Sequence, residues 1–95
     1  MAGVRDATLQ PKGYQKLTSA GSVLTPTVPS GAGRMLVKAE TKAFRWRDDG
    51  TNPTGTDGMS IDTGDELWYT GQARAIRFIE DGGTSTATLH ISYYA

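Results

Sequence analysis

The run Thr86-Ala87-Thr88-Leu89-His90-Ile91-Ser92-Tyr93-Tyr94 sets Ala87, Leu89, Ile91 and Tyr93 against Thr88, His90, Ser92 and Tyr94. Successive side chains of a strand point to opposite faces, so strict alternation predicts a strand with one face in a core and the other in water. Upstream, Asp81-Gly82-Gly83 has the chemistry of a tight hairpin turn. It predicts that residues 75–80, with Ile76 and Phe78 inward, pair with the last strand. Residues 66–70 and 59–61 read as further short strands, separated by turns at 62–65 and 71–74. Residues 35–40 form a strand with Met35, Val37 and Ala39 on one side. In residues 43–47, Phe44 and Trp46 share a face that Arg45 and Arg47 oppose.

Toward the N-terminus the signal thins. A weak strand at 14–18 and another at 23–25 precede residues 25–31, an irregular or edge segment because Pro26 and Pro29 cannot donate to a ladder. Residues 1–13 read as an extended arm with little to bury beyond Val4 and Leu9. Apolar residues at helical spacing never persist beyond a turn, and twelve glycines and four prolines punctuate the chain. Seven or eight short strands at even spacing predict an all-β fold. The expected architecture is a single antiparallel β-sandwich or small barrel, jelly-roll-like, over residues 14–95. Its core takes Leu36 or Val37, Phe44, Trp46, Leu67, Ile76, Phe78, Leu89 and Ile91.

Ninety-five residues build one domain with a thin core. Small domains commonly compensate with disulfides, a structural metal or oligomerisation. The absence of cysteine excludes disulfides, thiolate–zinc sites and thiol catalysis, and a single histidine argues against structural zinc. Association with other subunits is the route left. Ten basic and ten acidic residues cancel, which argues against a nucleic-acid partner. The first residues lack the apolar run of a signal peptide, and no apolar stretch is long enough to span a bilayer, so a soluble chain made in the cytosol with no membrane partner is expected.

The polar loop 48–58 is the best place for a ligand. Asp48, Asp49, Asn52 and Asp57 are oxygen donors of the kind calcium takes, but their spacing departs from the twelve-residue calcium loop. Asp and Asn also stabilise ordinary turns, so the loop is expected to hold no metal and to pair its carboxylates with Arg45 and Arg47. His90 has no serine, cysteine or second histidine to complete a catalytic set and reads as a surface or interface residue. No enzyme chemistry and no cofactor are expected. Trp68 and Tyr69 suit either a subunit contact or a platform for a sugar ring.

Residues 37–54, Val37-Lys38-Ala39-Glu40-Thr41-Lys42-Ala43-Phe44-Arg45-Trp46-Arg47-Asp48-Asp49-Gly50-Thr51-Asn52-Pro53-Thr54, resemble a string found in many small virion proteins of tailed bacteriophages. There, a strand leads through arginine-aromatic-arginine and Asp-Asp-Gly to Pro-Thr, and a glycine-apolar step follows; here that step is Gly58-Met59. The similarity extends over residues 34–94, about two-thirds of the chain, and leaves residues 1–29 unmatched. It implies a non-enzymatic β-sandwich that decorates or cements the phage head, made in the host cytoplasm and carried in the virion. Its implied partners are itself, as a homotrimer or small ring, and the major capsid protein or another virion protein. Val4, Leu9, Trp68, Tyr69 and Tyr94 are the expected interface residues. A carbohydrate- or receptor-binding module of a tail fibre or spike is the alternative.

Overall fold

A computed structural model describes residues 9–95. Seven strands follow in order: β1 (Pro11–Ala20), β2 (Arg34–Glu40), β3 (Phe44–Arg47), β4 (Met59–Ile61), β5 (Glu66–Tyr69), β6 (Arg77–Glu80) and β7 (Thr86–Tyr94). They form a four-stranded sheet in the order β1-β7-β2-β5 and a three-stranded sheet in the order β4-β3-β6, every pairing antiparallel. The chain is all-β, and the two sheets pack as a sandwich. Met35, Val37, Ala39, Ala87, Leu89, Ile91 and Tyr93 from the larger sheet meet Phe44, Ile61 and Phe78 from the smaller, with Val28, Ala73 and Ile76 supplied by connections. Alternation in β2 and β7 is carried into the structure as expected. Of the predicted core, Val37, Phe44, Ile76, Phe78, Leu89 and Ile91 are fully enclosed. Trp46 and Leu67 are partly covered at its margin.

Three expectations are corrected. β6 and β7 are not partners: Asp81-Gly82-Gly83 carries the chain from the small sheet into the centre of the large one. Gly82 and Gly83 do take positive φ (84° and 71°). The same turn chemistry serves a hairpin or a crossing between sheets, however, and β7 already has a partner on each side in β1 and β2. The strand expected at 23–25 shrinks to one bridge, Leu24 with Phe78, because Pro26 and Pro29 block its continuation. β1 is longer than the weak strand read at 14–18, beginning at Pro11 and pairing with β7 to Ala20. Pro11, Lys12 and Gly13, expected in the arm, therefore belong to the sheet. Leu9 is buried, and the backbones of Gln10 and Ala95 exchange both hydrogen bonds (3.1 and 2.9 Å). Val4 lies outside the described residues.

The polar loop 48–58 folds back across the outer face of the small sheet. Arg45 and its register partner Ile79 are on that face. Ile79 is nevertheless buried, Arg45 Nη1 donates to the Gly58 carbonyl (3.2 Å), and Gly82 N donates to the Gly55 carbonyl (2.8 Å). A Cβ at Gly55 would overlap the Gly82 backbone, so glycine is required where the two connections touch. At the corner between β2 and β3, Thr41 holds φ 79°, a left-handed conformation that a β-branched residue rarely adopts.

Candidate functional site

Two places combine exposure with chemistry. The first is the outer face of the large sheet. Directly paired residues of antiparallel strands share a face, so the register makes Tyr14, Ser92, Leu36 and Trp68 one continuous row across β1, β7, β2 and β5. Four strands at sheet spacing make that row about 14 Å long. Tyr14 is 62% exposed, while Leu36 and Trp68 are half-buried. Trp68 leans on Tyr94, ring centres 5.6 Å apart. The adjacent row runs Lys16, His90, Lys38 and Glu66. His90 Nε2 lies 2.7 Å from Glu40 Oε1, and His90 Nδ1 lies 2.5 Å from the Tyr14 hydroxyl. The hydrogen bond and charge of His90 hold the Glu40 carboxyl below its ordinary range.

Trp68 and Tyr69 fall on opposite sides of β5, since neighbours in a strand alternate. Tyr69 is buried in the core cluster, where its ring meets Trp46 edge-on (5.8 Å) and its hydroxyl donates to Asp48 Oδ2 (2.7 Å). Burial, reinforced by Asp48, pushes the Tyr69 phenol up to about 12. The two rings therefore do not share one platform. Tyr94, also buried, supports Trp68 from within the same protomer.

The second place is a cleft of about 480 Å³ at the root of loop 48–58, lined by Trp46, Arg47, Asp48, Asp49, Asp57, Gly58 and Met59. Trp46 and Met59 are register partners and so share one face of β3 and β4. Met59 is 61% exposed. Arg47 Nε and Nη2 donate to the two oxygens of Asp49 (3.0 and 2.5 Å), and Nη1 donates to Asp57 Oδ2 (3.3 Å). Arg47 holds the Asp49 carboxyl below its usual range. Asp49 and Asp57 thus pair with Arg47 as expected, whereas Asp48 is bonded by Tyr69 and Arg45 pairs with Asp81 across the β6–β7 connection (2.8 Å). Among the described residues, no group of three or more His, Cys, Asp or Glu side chains is arranged to hold a metal ion.

A carboxylate that sequence reasoning passed over is Glu80, the last residue of β6 and fully buried. It accepts hydrogen bonds from the Ser19 hydroxyl, Gly21 N (2.9 Å) and Ser85 N (2.8 Å). Burial raises its pKa, but the hydrogen bonds from Ser19 and the backbone outweigh that and hold the carboxyl below its ordinary value. Every bonding partner belongs to the fold, so Glu80 fastens the end of β1 to the β6–β7 crossing. Its signal lay in the alternation, because Glu80 is two residues beyond Phe78 and four beyond Ile76.

Neither protein-family models, nor curated proteins, nor solved structures give a match to this chain.

Proposed function

We propose that the chain is a non-enzymatic binding subunit that associates with copies of itself into a small ring and decorates a larger protein assembly. The virion of a tailed phage is the assembly its sequence resemblance implies. The observation that carries this reading is the cross-strand row Tyr14–Ser92–Leu36–Trp68, which places an aromatic or aliphatic side chain on three of four strands of one exterior sheet face. Interfaces are enriched in aromatic side chains where charged residues are few at their centre. The row fits that description, with Lys16, Lys38 and Glu66 beside it as a polar margin. A charge-neutral chain also has little electrostatic repulsion to oppose self-association.

Sedimentation equilibrium of the full chain tests the reading. A trimer or other small ring is expected, reduced to monomer in the double variant Tyr14→Glu/Leu36→Glu while the sheet content is retained. A chain that is monomeric at all accessible concentrations, or a ring unmoved by the double variant, would overturn it.

A further inference from the structure

The geometry points to a second binding site, on the other sheet and independent of the face proposed above: the Trp46 cleft receives one cationic side chain, the guanidinium of an arginine, from a partner protein. Carboxylates alone would make only a polar turn. Here they stand around an apolar floor, the Trp46 indole and the Met59 side chain, within a cleft whose volume falls in the range of roughly 300–1,000 Å³ typical of ligand sites. Met59 is notable because a large apolar side chain 61% exposed on a three-residue strand contributes little to the fold that holds it.

Charge selects the ligand. Arg47 spends three nitrogens on Asp49 and Asp57, which holds both side chains at the opening while its single positive charge offsets one of the three carboxylates. Asp48 is oriented by the neutral Tyr69 hydroxyl, which supplies a hydrogen bond without cancelling its charge. The lining therefore remains negative and includes an aromatic ring, the combination that attracts a cation. An anion is repelled, and a neutral sugar gains nothing from the surplus charge. Between the two basic side chains, the planar guanidinium both stacks on an indole and offers parallel N–H groups to carboxylates, whereas an ammonium is a compact, strongly hydrated point charge.

The probe is N-acetyl-arginine amide, with the lysine and citrulline counterparts as controls. Citrulline keeps the planar shape and loses the charge. The chain has two tryptophans, so in a Trp68→Phe background the fluorescence comes from Trp46 alone; the Trp46 indole N–H resonance of the unaltered chain gives the same reading should that variant fold poorly. The expected result is a saturable response with a dissociation constant of about 1–10 mM, as befits one side chain. It should be several-fold weaker for lysine and absent for citrulline. The double variant Asp48→Asn/Asp57→Asn should weaken arginine binding about tenfold, and added salt should weaken it further. Citrulline binding as well as arginine, a methyl pyranoside saturating the site with no loss in the Asn variant, or no response to about 100 mM arginine amide would each overturn the proposal. The oligomeric state, measured separately, reports on the sheet face and not on this cleft.

Discussion

The small sheet carries carboxylates at both ends of β3, and they live differently. Beside Phe44, Glu80 is withdrawn from water and met by a hydroxyl and two backbone N–H groups. Beside Trp46, only two residues along, Asp48, Asp49 and Asp57 remain in solvent, the last two around a single guanidinium. Enclosure is what separates them. A buried carboxylate with complete hydrogen bonding is committed to the fold, and disturbing it strands its donors. Solvent-exposed carboxylates contribute little to folding and so can be spent on a ligand. The apolar neighbours of Trp46 show the same division: its partner on one side, Phe78, is sealed, and on the other, Met59, is bare.

The largest effect belongs to Phe78. Phe78→Ala should lower stability by about 3–5 kcal/mol, as for other aromatic deletions from a core, whereas Met59→Ser should stay within about 0.5 kcal/mol of the parent. Urea denaturation of both variants measures the contrast, and a loss at Phe78 below about 1 kcal/mol would abolish it. Next is Glu80→Ala, which removes the buried acceptor of the Gly21 and Ser85 N–H groups and should cost about 2–4 kcal/mol.

Glu80 also carries a pH signature. Its folded pKa lies below the unfolded value, so its contribution is complete above the unfolded carboxyl pKa, about 4.3, and is lost as pH falls through the folded value. Denaturation midpoints of the parent and Glu80→Gln should therefore converge in acid. At the other extreme of pH, burial pushes the Tyr69 and Tyr93 phenols up to about 12. Unfolded tyrosine ionises near 10, so the folded state should lose stability as pH rises from about 10 to 12, with late phenolate absorbance as the readout. The smallest effect is expected at the exposed end: Asp49→Asn should leave the denaturation midpoint unchanged within error, and a clear drop would mean that the loop depends on this ion pair.

The parts of this fold legible in the sequence are those whose period is two and whose faces differ. β7 and β2 announce their buried sides residue by residue, and Phe44, Trp46, Ile76 and Phe78 do the same over shorter runs. What sequence could not express is the choice of partner. Asp81-Gly82-Gly83 reverses or redirects a chain equally well, and only the fit of β7 between β1 and β2 decides which. Arg45 illustrates the same limit. Its near neighbours Asp48 and Asp49 seemed the natural counterions, but alternation aims Arg45 across the sheet at Ile79, and Asp81, two residues past Ile79, is the carboxylate within reach. The cleft was half visible: the acidic loop stood out, while its apolar floor depends on Met59 lying opposite Trp46, a register that no local pattern encodes.

The place of β7 has a consequence for how the protein comes into being. It is the last of the seven described strands, yet it occupies the interior of the large sheet, with β1 on one side and β2 on the other. While the ribosome is still adding residues, β1 and β2 have no shared neighbour and the Glu80 carboxylate has yet to meet Ser85. Closure waits for Thr86–Tyr94 and then joins segments far apart along the chain, a topology associated with folding in milliseconds to seconds rather than microseconds. Until that moment the nascent chain exposes the unpaired edges of its earlier strands, which makes the interval before β7 pairs its period of greatest exposure to aggregation.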